Sequence, residues 1–254
     1  MNTRIVSMNE EERKGESMRP HTTLFLLTSI DGKISTGVDF SKDFDKDIPN
    51  MKYASVGLQH YYDVEATTTL WSINSGKVMR KMFDQKVVCE SNIYDNTNPN
   101  TVSCEVNFVI FDNSHLNRST ILWLCKRAWP AKCVILSSTE HIASKLNKHN
   151  TKSKGWEQFE NLEFYEYSSL NDAFEYLSNN FDCKDVTIQT GCTLNAEFIK
   201  KELIDSIDIV IAPFIVGNNA TNMVGTLSIP TEFTITSMDN LGDSYVRLRY
   251  NRVN

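Results

Sequence analysis

Val186-Thr187-Ile188-Gln189-Thr190-Gly191-Cys192-Thr193-Leu194 is the stretch on which the fold turns. Its first residues are β-prone, Gly191 permits a sharp change of direction, and Leu194, Phe198 and Ile199 then share one helical face. A buried strand that passes through a glycine turn into an amphipathic helix is half of a βαβ unit. Such a turn aims free backbone N–H groups and the positive helix end at one point, where an anion is stabilised. Thr190, Gly191, Cys192, Thr193 and Leu194 are therefore the leading candidates for contact with a phosphate-bearing cofactor.

The same pattern extends outward. Val106–Phe111, Cys133–Leu136 and Ile207–Ile211 are apolar strand candidates, and Leu170, Phe174 and Leu177 fall at helical spacing between them. His21–Thr28 forms a first strand that ends at Asp31-Gly32. Thr69–Ile73 forms a short one that passes through Asn74-Ser75-Gly76 into a helix-compatible Lys77–Met82. Met51–Val64 reads as helix, Val38–Asn50 as a solvated loop and Asp84–Cys104 as an irregular insertion. Alternating strands and helices predict an α/β fold with a mainly parallel sheet flanked by helices. At the end of the chain Glu232–Thr236 and Tyr245–Tyr250 alternate polar and apolar residues around a turn at Asp239–Asp243. That predicts an antiparallel C-terminal hairpin and so a mixed sheet, an ending the usual doubly wound dinucleotide fold lacks. Residues 1–17 read as a polar tail and 18–254 as a single domain.

Composition excludes several functions. The chain has 254 residues, 41% hydrophobic and 23% charged, which suits a packed globular protein. A net charge of −6 opposes general affinity for nucleic acid or an anionic membrane, so neither is an expected partner. The apolar run Ile207–Val216 is interrupted by Asp208 and Pro213, too short for a bilayer span. Glu10, Glu11 and Glu12 stand where a signal peptide would be apolar, and the expected location is the cytoplasm. Six cysteines are scattered without a C-x-x-C pair, and His60, His115 and His141 are isolated, so free thiols and no metal site are expected. Hydrolase, metalloprotease and NTPase motifs are lacking.

Thr28-Ser29-Ile30-Asp31-Gly32-Lys33-Ile34-Ser35, with Arg19-Pro20 ahead of it, resembles the opening of the riboflavin-biosynthesis reductase family, the RibD C-terminal domain, within the dihydrofolate-reductase-like superfamily. That family has an Arg-Pro pair and a S-x-D-G-K-I-A motif here, a later G-G-x-x-L motif, then L-V-D-E and a strand ending in A-P-x-x-x-G. Thr190–Leu194, Ile204-Asp205-Ser206 and Ile211–Gly217 follow in the same order and spacing, with Thr190 replacing the first glycine. Val106–Asp112 with Asn113–Leu116 is similar to the central strand ending in D-S-x-L, where Asp112 reads as a structural cap. Ser75 and Gly76 fall on the family's glycine turn after the second strand. The acidic, proline-containing segment that should follow is absent, and Lys77, Arg80 and Lys81 are the basic residues nearby.

The resemblance implies a dihydrofolate-reductase-like fold, NADPH as cofactor, a small-molecule substrate and a homodimer. It implies hydride delivery to C1 of a ring-opened ribosylaminopyrimidine 5′-phosphate, which turns the ribosyl chain into ribityl. Asp31 and Lys33 become the catalytic candidates, Asp31 toward the ribose and Lys33 toward the phosphate. Ser75, Gly76, Ser138, Thr139, Thr190–Leu194 and Gly217 become the cofactor candidates, with Lys145 as a basic group near the adenosine end. A divergent reductase with another pterin-like or sugar-phosphate substrate, and a non-catalytic nucleotide-binding or assembly module, are the alternatives.

Overall fold

The computed structural model describes residues 19–38, 42–89, 105–128, 131–138 and 160–253. Strands β1 (His21–Ser29), β2 (Trp71–Ser75), β3 (Asn107–Phe111), β4 (Cys133–Ser137), β5 (Leu162–Glu166), β6 (Asp185–Ile188), β7 (Ser206–Ala212), β8 (Phe233–Gly242) and β9 (Tyr245–Arg252) form one nine-stranded sheet. The order is β5-β4-β3-β2-β6-β1-β7-β9-β8. All pairings from β5 to β7 are parallel, and β7–β9 and β8–β9 are antiparallel. The helices are α1 (Phe44–Asp47), α2 (Leu58–Glu65), α3 (Gly76–Cys89), α4 (Arg118–Ala128), α5 (Leu170–Phe181) and α6 (Cys192–Lys200). The mixed, mainly parallel sheet with its closing hairpin is the architecture the sequence predicts.

Alternation along the strands divides the core. Leu24, Leu26, Val109, Phe111, Val134, Leu136 and Ile188 face α5 and α6. Phe25, Leu27 and Val210 face α1 and α2 on the other side, while Ile110, Cys133 and Ile135 meet α3 and α4 there. Burial of such side chains, at about 25 cal/mol per Å² of apolar surface, is the main drive for this layering. Helix α5 starts where the Ser169 hydroxyl accepts from the Asp172 amide and stops at Asp182, whose φ of 49° ends the helical path.

Local structure differs from the sequence reading in several places: α4 and β5 were not expected, and β2 runs over Trp71–Ser75, so that Asn74 and Ser75 belong to the strand and not to the turn after it. The helix expected over Met51–Val64 begins only at Leu58, because Gly57 is pressed under the Tyr245 ring, where a Cβ would lie 2.4 Å from Cδ2. The expected loop Val38–Asn50 contains α1, started by the Asp43 carboxylate, which accepts from the Asp45 amide. Helix α3 runs on to Cys89, so 84–89 are helical, while 90–104 lie outside the described residues. The hairpin turn is tighter than Asp239–Asp243: only Asp243 and Ser244 separate the strands, both at positive φ (48° and 68°) as a right-twisted two-residue turn requires.

Candidate functional site

Parallel strands bring their carboxyl ends to one edge of the sheet, where an open α/β fold builds its sites. At that edge lie the turns after β1, β6 and β7. The β1 turn closes through backbone bonds, the Gly32 amide donating to the Ser29 carbonyl at 3.0 Å and the Lys33 amide to Ser29 Oγ at 3.0 Å. Gly32 takes a φ of +70°, which L side chains adopt only under strain.

Asp31 is fully committed within this turn. Its carboxylate accepts from Ser29 Oγ at 2.6 Å, from the Val216 amide at 3.1 Å and from the Gly217 amide at 2.8 Å. The Ser29 hydroxyl foremost, and the two amides, pull its pKa down to about 2. Asp31 is therefore an ionised clamp on the segment after β7, and it has no proton to give at neutral pH. Lys33 is largely buried, 9% exposed, and its Nζ donates to Asn222 Oδ1 at 2.6 Å. No carboxylate among the described residues pairs with that ammonium.

The segment 214–225 ties the β1 turn to α6. Ile30 N donates to Phe214 O (2.9 Å), Ile34 N to Thr221 O (2.9 Å), Met223 N to Gly32 O (2.9 Å) and Gly225 N to Cys192 O (2.9 Å). Asn195, fully buried, donates to Met223 O at 2.7 Å and accepts from the buried Thr190 hydroxyl. The Thr190 hydroxyl thus faces inward to α6, not to a ligand. The first intrahelical bond of α6 is Asn195 N to Gly191 O, and the Gly191 cap position has no side-chain cap. The amides of Cys192, Thr193 and Leu194 stay available. A Cβ at Gly191, Gly32 or Gly217 would find no atom within 4 Å, so the backbone there borders open space. Leu194 itself packs onto the core, whereas Thr193 is exposed.

The second glycine turn is built differently. A Cβ at Gly76 would lie 2.1 Å from Asp112 Oδ1. That carboxylate is buried, with 1% side-chain exposure, and accepts from the His115 and Leu116 amides at 3.0 and 2.9 Å and contacts His115 Nδ1 at 2.9 Å. A protein carboxylate therefore already sits at the start of α3, and Gly76 makes room for it. Ser75 Oγ accepts weakly from the Val78 amide at 3.4 Å. Arg80 pairs with Asp84 (2.8 Å) and Lys81 with Asp43 (2.6 Å), while Lys77 is exposed.

Ser138, after β4, exchanges bonds with Asn113: its amide donates to Oδ1 at 2.9 Å and Asn113 Nδ2 donates to its hydroxyl at 2.9 Å. Three strand spacings separate β4 from β6, roughly 14 Å at about 4.8 Å each, a span of dinucleotide size. Thr139, His141 and Lys145 lie outside the described residues. Cys125, Cys133, Cys183 and Cys192 are free thiols, and the described residues hold no metal-binding group of His, Cys, Asp and Glu and no helix long and apolar enough to cross a membrane. Sequence reasoning passed over Asn195 and Asn222, whose roles are visible only through Met223 and Lys33 far along the chain, and gave Ser29, quoted within the first motif, no role of its own although its partners Asp31 and Lys33 are local.

The model of the RibD C-terminal domain family matches residues 20–247. RibD of Acinetobacter baumannii superposes with a TM-score of 0.58 at 17% identity, covering 94% of this chain and 59% of that one. This chain thus spans well under two thirds of that protein. A pyrimidine reductase-like protein of Corynebacterium diphtheriae gives 0.58 at 14% identity, covering 92% of both chains. The riboflavin biosynthesis reductase of Saccharomyces cerevisiae gives 0.51 at 13%, covering 96% of this chain and 94% of that one. No curated protein sequence matches significantly. Sheet order, closing hairpin, the two motif turns and a match over nearly the whole described chain agree: this protein belongs to the RibD C-terminal domain family and has its dihydrofolate-reductase-like fold.

Proposed function

We propose that the chain is an NADPH-dependent reductase that converts the ring-opened ribosyl group of a ribosylaminopyrimidine 5′-phosphate to ribityl. The observation that carries this reading is the α6 N terminus, whose three available amides and bare Gly191 Cα border open space beside Gly32 and Gly217. A pyrophosphate suits that cradle, because the amides and the helix dipole stabilise negative charge without a countercharge. When bound, NADPH supplies the hydride that C1 takes up. The chain's own part is to hold and orient both reactants and keep water from the hydride path.

Lys33 offers its ammonium to a phosphate oxygen from across the 221–225 segment, with Asn222 holding it in place. Asp31 acts as a positioning group that fixes Val216 and Gly217 against the cradle, and the proton that completes the reduction comes through water. Ser138 lies at the distance expected of the adenosine end. Ser75 and Gly76 are weaker cofactor contacts in this proposal, because the buried Asp112 carboxylate repels a phosphate brought to α3. The open space beside Gly32, Gly191 and Gly217 supports catalysis over a non-catalytic module, whose cleft would be filled by bulky apolar side chains. The homodimer belongs to the same proposal, and light scattering tests it against the monomer mass of 29.0 kDa.

Titration with NADPH and NADH, followed by NADPH oxidation with the ribosylaminopyrimidine phosphate, tests the reading. Binding with turnover is the expected result. NADPH binding without turnover replaces the substrate with another pterin-like or sugar-phosphate compound, and no binding of either nucleotide refutes the cofactor site.

A further inference from the structure

On the α2 side of the sheet, between the apolar clusters over β1 and over β3, the two central strands carry polar side chains: Ser72 and Asn74 on β2, Thr187 on β6 and Gln189 just after it. Four of the residues here are bonded in series. Asn74 Nδ2 donates to Ser72 Oγ at 2.9 Å, Ser72 Oγ donates to Gln189 Oε1 at 2.9 Å, and Gln189 Nε2 donates to Glu65 Oε1 at 2.5 Å. Tyr61 also donates to Glu65 Oε1, at 3.1 Å, and burial foremost, then the Glu65 charge, raises its pKa far above the usual phenol value, so it stays a donor.

The direction of this series follows from chemistry. An ionised carboxylate only accepts, so Gln189 must turn its amide nitrogen to Glu65 and its oxygen to Ser72. Ser72 must then spend its single proton on Gln189 and accept from Asn74. Asn74 is thereby left with Oδ1, an oxygen that accepts from no donor among the described residues. A carboxylate on the last residue of α2 opposes the helix dipole, and here it accepts from both Gln189 and Tyr61. Asn74 is the penultimate residue of β2, and the pairing of Ile73 with Ile188 sets it level with Gln189, next to the Thr190-Gly191 turn.

We infer that Asn74 is a recognition residue for a neutral hydrogen-bond donor on the bound ligand, a hydroxyl or an amide N–H, and that Glu65 sets its polarity through Gln189 and Ser72. The ligand side of this rests on the reductase reading; the polarity of the series does not. A sugar hydroxyl of the substrate and the carboxamide of the nicotinamide are the two sources of such a donor.

The test uses the full chain with Asn74→Leu, Asn74→Asp, Glu65→Gln and the double variant Glu65→Gln/Asn74→Asp. Asn74→Leu raises one constant by about tenfold, the loss expected when a ligand donor goes unpaired. A raised calorimetric Kd for NADPH identifies the carboxamide, and a raised KM for the ribosylaminopyrimidine phosphate identifies the hydroxyl. Glu65→Gln raises the same constant by a smaller factor and leaves kcat within about twofold, as for a group that acts only on binding. In thermal melts Asn74→Asp lowers the midpoint, and adding Glu65→Gln restores much of the loss, because the new amide at position 65 donates and the whole series reverses. Additive losses in the double variant overturn the polarised series. Unchanged Kd and KM in Asn74→Leu overturn the recognition role. A wild-type chain that binds neither ligand refutes the reductase reading and the ligand with it, and the melts still decide the series.

Discussion

Two glycines open the helices that follow β2 and β6, and the same substitution separates their roles. Gly76→Ala places a methyl 2.1 Å from Asp112 Oδ1, a carboxylate with 1% side-chain exposure that holds the His115 and Leu116 amides. Either α3 shifts or Asp112 leaves its donors. Overpacking costs about 1–3 kcal/mol and loss of buried bonds to a charged acceptor about 1–3 more, which sums to about 2–6 kcal/mol. For a chain of this size that is a fall of about 4–24 °C in Tm. Gly191→Ala meets no atom within 4 Å, and Ala for Gly at a helix cap costs only about 0.5–1 kcal/mol, or about 1–4 °C. Its methyl instead stands where the pyrophosphate approaches, and NADPH affinity falls by at least about tenfold, or about 1.4 kcal/mol. Circular-dichroism melts and calorimetric NADPH titration measure both variants. A Gly76→Ala chain as stable as wild type, or a Gly191→Ala chain with undiminished NADPH binding, refutes the assignment of packing to one turn and ligand to the other.

Asp31 is held ionised down to about pH 2 in the folded chain, below its unfolded pKa, so its contribution is complete above about pH 4 and is lost as pH falls toward 2. Asp31→Asn therefore narrows the gap between melts at pH 5 and about pH 2 relative to wild type; an equal gap in both chains shows that the clamp is inert. Arg247→Met leaves the buried Asp208 carboxylate, which it grips at 2.6 and 2.9 Å, without a partner and should cost about 3 kcal/mol in urea unfolding. Retention of full stability would show that β9 needs no charge pair to stay on β7. Lys33→Met is expected to weaken binding of the phosphorylated substrate, and to flatten its salt dependence, with little change in Tm. A large fall in Tm instead makes Lys33 a structural residue.

The chain's local chemistry determined the alternation of strands and helices, the closing hairpin and the two motif turns, because hydrophobic period and glycine placement act over a few residues. The sequence reading missed α4, although Ile121, Leu124, Cys125 and Ala128 fall at helical spacing, and β5, where Leu162 and Phe164 alternate with Glu163. What Gly76, Thr190 and Asp31 do was not legible in that way. Sequence shows a glycine before a helix in both turns, but only the fold brings Asp112 against one and leaves the other facing open space. Asn195 captures the Thr190 hydroxyl, and Val216 and Gly217 reach Asp31 from 185 and 186 residues away. Such partners are set by which strands become neighbours, and strand order depends on the summed packing of both sheet faces, which no short segment contains.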